Sequence, residues 1–403
     1  MSILSSASSA SSASSASSAS SASSASSASS ASSAMNGLAG YAGAVVNPAL
    51  TAAIESTRLA LQKQIPKDGL LSFADTSVEL DKPDRLLRWQ PDVRATVLEF
   101  EALSGLSFDA SGGMVRLSSH CIEAKPVLVT MTRPSDPVLK QQADVVAERA
   151  NERLMPKSDD LASRDRLAEI TAQVVPPFAF WCAALPIHPE RMPRTIELIQ
   201  LTLALCSSVE QRFKHALAVP RPQYFNPKVF PAILTPGHSS LPSGHATEAF
   251  AVSQVLSRLL KFDTNLKDDK TPSVHRMLLA LAARIANNRF VAGLHTPIDT
   301  SAGRMLGTVL AHYLAARCEP TDLYTGEFLG HELSAEALRN DNTPNEMGDE
   351  LTLVRSDGSR SDGICALKTC QATVAKSTAL EWLWSKAREE WICADKVQLT
   401  KAP

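Results

Sequence analysis

Four windows of helical apolar spacing, about 192–218, 244–262, 273–292 and 297–317, follow one another with short interruptions. The first places Leu198, Leu201, Leu205, Val209, Phe213 and Leu217 on one face. Apolar residues three and four apart form a stripe that must be covered by other elements. Long amphipathic helices in succession cover one another, so this stretch constrains the chain to a helical bundle. Windows at 47–64, 136–153, about 158–173 and about 376–392 extend it. The last carries Leu380, Trp384, Ala387 and Trp391 on one stripe, suited to docking on the core or on a partner subunit. Residues 70–134 read as mixed, with strand-like pieces such as Val127–Thr130. Residues 319–374 read as polar and turn-rich, with Ser-Asp-Gly at 356–358 and 361–363 and a short hairpin around Leu351–Arg355. The expected class is mostly α, with small irregular or β additions at the ends. The expected divisions are a disordered repeat at 1–34, an N-terminal extension at 35–135, a catalytic bundle at 136–318 and a C-terminal extension at 319–403.

The breaks between these windows hold the chemistry. In the first, Lys214 stands in the last turn of a helix that Pro220 ends, and Pro222 holds Arg221 extended. In the second, Pro242-Ser243-Gly244-His245 precedes an apolar helical run. Ser243 is placed to cap that helix, and Gly244 lets the backbone approach an anion at the helix start, with His245 beside it. In the third, Arg289 closes one helix, and Gly293 allows the chain to turn. Thr296, Pro297 and Asp299 fit a capping box with proline at the first helical position. His295 therefore sits at a junction of two helices, and Asp299 is open to two roles: capping the helix, or accepting a hydrogen bond from His295.

Three cations, a glycine N–H, a hydroxyl and two imidazoles suit a tetrahedral oxyanion. Charge-assisted bonds hold its oxygens, one imidazole bonds the central atom, and the other moves a proton.

Composition excludes other classes. Lys and Arg number 40 against 42 Asp and Glu, a net charge of -2. General nucleic-acid binding needs a positive excess that is missing here. The longest uncharged run, about Ile170 to Ile187, contains Gln173, Pro176, Pro177 and Pro186 and makes a poor membrane span. Ser-Ser-Ala repeats ten times from Ser5 to Ala34, too little apolar surface to offset the entropy of ordering, and without the basic start and apolar stretch of an export signal. Seven scattered cysteines without a C-x-x-C pattern read as reduced core thiols, with a Cys365–Cys370 pair as the exception to test. A soluble, cytoplasmic protein is expected.

Lys-x6-Arg-Pro at 214–222, Pro-Ser-Gly-His at 242–245 and Arg-x5-His-x3-Asp at 289–299 resemble the signature of the type 2 phosphatidic acid phosphatase and vanadium haloperoxidase superfamily. The gaps are 19 residues from Pro222 to Pro242 and 43 from His245 to Arg289. Asn288 departs from the serine common in the family at that position.

The resemblance implies a helical bundle of that type. It implies that Lys214, Arg221, Ser243, Gly244 and Arg289 bind the equatorial oxygens of phosphate or vanadate. His295 would be the nucleophile or the vanadium ligand, His245 the general acid/base, and Asp299 the group that orients His295. His238, five residues before Ser243, resembles an extra histidine of algal bromoperoxidases and joins the expected catalytic set. It would tune protonation at the centre or help bind halide. The expected function is a vanadate-dependent haloperoxidase acting on halide, bromide first, with hydrogen peroxide and a small organic substrate. The alternatives are a soluble acid phosphatase working through a phosphohistidine on His295, and a non-catalytic oxyanion binder. No nucleic acid is expected as a partner; a homo-oligomer is a further expectation of the resemblance.

Overall fold

The computed structural model describes residues 48–64, 82–123, 126–154, 166–261, 273–334, 365–370 and 372–393. The Ser/Ala repeat, the Ser-Asp-Gly turns, the hairpin around 351–355 and the start of the 158–173 window lie outside the described residues.

Ten α-helices are described. They are α1 (Pro48–Ala60), α2 (Pro91–Ser104), α3 (Asp136–Leu154), α4 (Arg166–Ala172), α5 (Phe178–Ala184), α6 (Pro193–Leu217), α7 (Gly244–Leu259), α8 (Val274–Val291), α9 (Pro297–Cys318) and α10 (Thr378–Cys393). Five strands accompany them: β1 (Leu106–Ser111), β2 (Met114–Ser119), β3 (Val127–Thr132), β4 (Leu323–Leu329) and β5 (Cys365–Cys370). The mostly α expectation holds, and the four central windows become α6 to α9. Helix α6 stops at Leu217, before Pro220, with Ala218 in the left-handed region at φ 48°.

The described part of 70–134 is more regular than its mixed composition suggests. It contains α2 and three strands, β1, β2 and β3. Pro91 at the start of α2 and Asp92 in its first turn are ordinary helix-start chemistry. The β additions from the two sides of the helical core join in one sheet of order β1-β2-β3-β4-β5. The β3–β4 pair is parallel, with Val129 opposite Gly326 and Thr132 opposite Leu329, and the other pairs are antiparallel. Cys365 and Cys370 stand at the two ends of β5. Five residues of extended chain span roughly 17 Å, well beyond the ~7 Å Cα reach of a disulfide, so these two do not pair with each other.

Helix α9 is the axis of the core: residues 298–303 and 305–318 are buried, among them Ile298, Met305, Leu306, Leu310 and Tyr313. It lies against α7 so closely that a Cβ on Gly307 would overlap the Thr247 carbonyl, and one on Gly303 would meet Ser243 O at 2.5 Å. This contact sets the start of α7 beside the start of α9. The tryptophan stripe of α10 packs inward, with Leu380, Trp384 and Ala387 buried in the main core. Trp391 Nε1 donates to Thr195 Oγ1 at 3.1 Å. Glu390 of α10 accepts from the backbone N–H groups of Arg194 and Thr195 at 2.7 and 2.8 Å. It thereby caps α6, whose own N-cap residue, Met192, provides no side-chain bond. The stripe is thus consumed by the chain's own core.

Because Gly307 meets backbone rather than a movable side chain, Gly307→Ala should lower stability by about 1–3 kcal/mol, the usual cost of overpacking. Urea unfolding measures it, and an unchanged midpoint would contradict the helix contact.

Candidate active site

Three helix junctions supply the site: the end of α6, the start of α7, and the turn from α8 into α9. The last turn is built by Gly293, at φ +75°. Leu294 N–H bonds Arg289 O at 3.0 Å and Gly293 N–H bonds Phe290 O at 2.9 Å, the paired closure of a helix end that requires a left-handed residue. Thr296 then starts α9 with the full capping box: its hydroxyl accepts from Asp299 N–H, and Asp299 Oδ2 accepts from Thr296 N–H at 2.8 Å.

Asp299 performs both of its open roles. The same Oδ2 accepts from Ser240 Oγ at 2.7 Å and lies 3.5 Å from His295 Nδ1. Burial alone would raise its pKa, but His295, Ser240 and the Thr296 N–H together hold it below the usual carboxylate value.

His295 Nε2 lies 3.0 Å from Arg221 Nη1. A guanidinium can only donate, so Nε2 accepts and the proton of the neutral ring sits on Nδ1, toward Asp299. Burial and the Arg221 charge push the His295 pKa far down, against the opposing pull of Asp299.

Arg221 is extended at φ -70°, ψ 155°, as Pro222 dictates. It is fixed by two carbonyls: Nε donates to His238 O at 3.1 Å and Nη1 to Leu294 O at 2.9 Å. Its Nη2 lies 3.2 Å from His238 Nδ1, which also lies 3.1 Å from Ser239 O. That nitrogen faces a donor and an acceptor at once, so geometry leaves its proton unassigned. Burial, then the charges of Lys214 and Arg221, lower the His238 pKa to about 4.

Lys214 is buried, with Nζ donating to Pro242 O and, at 3.4 Å, to Ser240 O. His245 opens α7, and its Nε2 is 2.7 Å from Gln173 O. A carbonyl only accepts, so Nε2 carries the proton and Nδ1 the lone pair. Burial and then the Arg289 charge lower its pKa to about 3.

Arg289 is 1% exposed. Its Nη2 donates to Ile170 O at 3.0 Å and to Gln173 Oε1 at 3.2 Å. Burial lowers its pKa to about 10, leaving it charged at neutral pH.

The nine residues expected from sequence thus stand on the facing ends of α6 to α9 and the loops between them. One expectation changes: Ser243 occupies the N-cap position of α7, yet its hydroxyl makes no cap bond. Gly244 is needed for a reason the sequence did not reveal, because a Cβ there would sit 2.5 Å from Glu210 Oε1.

Four residues of the site were missed. Gln173, just after α4, gathers Asn288 Nδ2 at 2.8 Å and Arg289 on its side chain and His245 on its carbonyl. Asn288, the departure from the family pattern, therefore braces the histidine support. Ser240 couples to Asp299. Glu210 and Glu248 are buried carboxylates beside Lys214. Glu210 lies four residues before Lys214, a helical spacing visible in the sequence.

The fit to an oxyanion rests on atoms without protein partners. Ser243 Oγ and both Nε and Nη1 of Arg289 are buried and make no hydrogen bond in the protein. Unpaired buried donors are costly, more so when charged, and a ligand oxygen removes that cost. Among the described residues no cluster of three or more His, Cys, Asp or Glu forms a cation site. The donor set suits vanadate or phosphate as a whole anion.

Residues 198–320 match the family described as the PAP2 superfamily. This core belongs to the PAP2 superfamily. The matched span starts in α6, ends just after α9, and contains all three signature clusters. A solved structure, described as the first bacterial vanadium-dependent iodoperoxidase, aligns at 18% identity over 43% of this chain and 47% of that one, with a TM-score of 0.31. The chain thus spans about half the length of that protein. No curated protein matches the sequence. Among the described residues, no helix is long and apolar enough to cross a membrane.

Burial and the Arg289 cation both disfavour imidazolium, so His245 should be neutral throughout the physiological range. Ring ¹⁵N shifts of His245 in the ligand-free protein should stay those of the Nε2–H tautomer from pH 8 to pH 5. A titration midpoint near 6.5 would contradict the burial and the Gln173 bond.

Proposed function

We propose that the PAP2 pocket binds vanadate on His295 and that the protein is a haloperoxidase, oxidising halide, bromide first, with hydrogen peroxide. The observation that carries this reading is the Arg221 fork, which joins His295 and His238. A second imidazole with an unassigned proton, two bonds from the ligating nitrogen, suits an oxidation that takes up and releases protons. Bound vanadate supplies the electron-poor centre at which peroxide becomes an oxidant. Lys214, Arg221 and Arg289 offset the charge of its oxygens, and Ser243 Oγ and the Gly244 N–H donate to them. Asp299 orients the His295 ring, and the Nε2 lone pair, which accepts from Arg221 Nη1 in this structure, would be given to the ligand in exchange for that bond. His245, pinned through Nε2 to Gln173 O, presents Nδ1 for proton transfer.

The same His295 lone pair supports a second reading, phosphomonoester hydrolysis. His295 Nε2 attacks phosphorus, the ester P–O bond breaks, and protonated His245 gives its Nδ1 proton to the leaving alkoxide. Water then attacks the phosphohistidine, gives a proton to His245, and releases phosphate. The bound ester's negative charge raises the His245 pKa toward the value this step needs.

Protein incubated with vanadate, peroxide and bromide should brominate a phenolic dye, and His295→Ala should abolish this. Phosphomonoester hydrolysis without peroxide, inhibited by vanadate and accompanied by no bromination, would establish the second reading instead. Arg289→Ala should weaken vanadate binding roughly ten- to a hundredfold, because a charged buried hydrogen bond contributes about 1.5–3 kcal/mol. Unchanged affinity would remove Arg289 from the pocket.

A further inference from the structure

The oxyanion pocket contains an element that anion binding alone does not call for. Glu210 on α6 and Glu248 on α7 are 1% and 2% exposed. The Glu210 carboxylate lies against Gly244, within 2.5 and 2.9 Å of where a Cβ would be, and its Oε2 is buried without a hydrogen-bond partner. Gly244 adjoins Ser243, whose hydroxyl is also unpartnered. Glu248 follows Gly244 by one helical turn, on the same face of α7.

Two carboxylates beside an anion site repel the anion and each other. Lone pairs on a carboxylate and on an oxyanion approach each other only with a proton between them.

We propose that Glu210, backed by Glu248, shares one proton with the bound oxyanion, so that the pocket selects tetrahedral anions that bring a proton, hydrogenphosphate or hydrogenvanadate, over those that do not, such as sulfate. This rests on the pocket assignment above but not on which reaction follows. The proton sits between a Glu210 oxygen and an anion oxygen, and no covalent bond changes.

The surrounding charges set the conditions. On α6, Lys214 and the Cys206 thiol face the pair; on α7, His245 stands one turn before Glu248. Arg221 approaches from the loop after α6, and Arg289 from α8. His295 and Asp299 stand at the start of α9, with Arg304 one turn further along over the Phe250 ring. Burial raises the Glu210 pKa against the pull of Lys214 and Arg221, and burial together with Glu210 raises that of Glu248. Both shifts favour a retained proton.

The test is calorimetric titration of the full-length protein with inorganic phosphate and with sulfate between pH 7.5 and 9. Over this range phosphate keeps one proton and sulfate has none, so sulfate must draw its proton from solution. Comparing the two anions cancels the titration of Lys214, which affects both. The phosphate-to-sulfate affinity ratio should rise about tenfold per pH unit in the wild type. Glu210→Gln, an isosteric change, should give a ratio independent of pH. Glu248→Gln should keep the slope, because the shared proton is held by Glu210 and burial already keeps Glu248 protonated. A flat ratio in the wild type, or a slope that survives Glu210→Gln, overturns the proposal. Binding of neither anion at millimolar concentration overturns it as well, and the turnover assays above report separately on the reaction.

Discussion

Three buried cations at the ends of α6 and α8 and in the loop after α6 set the terms for the rest of the structure. Lys214, Arg221 and Arg289 are each at most 3% exposed. Burying a charge without partners costs several kcal/mol, so each must be met by carbonyls, carboxylates or a ligand. Lys214 is met by the 240–242 loop, Arg221 by the carbonyls of His238 and Leu294, and Arg289 by Ile170 and Gln173. These partners come from three separate stretches, 170–173, 238–242 and 294, which the cations tie together. The charges also explain the histidines. Imidazoles placed among fixed cations stay neutral, and a neutral imidazole keeps the lone pair that bonding or proton transfer requires.

The scaffold makes this convergence precise at two points. The tight α7–α9 crossing at Gly303 and Gly307 sets Ser243 beside Asp299, and Ser243 N–H bonds Asp299 O at 2.9 Å. Gln173 fixes Arg289 by its side chain and His245 by its backbone, so one residue outside the family-matched span sets two residues within it. Asp299 serves helix cap and histidine alike. A group already locked by capping needs no further ordering when it orients the His295 ring.

What could be read from the sequence follows from locality. Lys214, Arg221, His245, Arg289 and His295 fall in compact clusters at helix breaks, where Pro, Gly and Thr-x-x-Asp announce the backbone. Gln173 belongs to no cluster, and its role arises only when α4 packs against α8. Glu210 and Glu248 read as ordinary polar positions of amphipathic helices until burial is known. The β1–β2 hairpin was not expected, although it carries a local signal: Gly112-Gly113 joins two short alternating runs, and both glycines have positive φ. The parallel β3–β4 pair carries none, because its partners are almost two hundred residues apart and no local pattern links them. The α10 stripe showed its apolar face but not its partner, since the same stripe serves a core or an interface equally well.

The central claim is that three distant stretches enclose one tetrahedral oxyanion, centred on His295. Crystals soaked in orthovanadate, with anomalous data collected for vanadium, test it most directly. The account predicts a single strong peak within bonding distance of His295 Nε2, with the free nitrogens of Arg289 and the Ser243 hydroxyl turned to the surrounding oxygens. A peak away from His295, or no peak between residues 245 and 295, would contradict it.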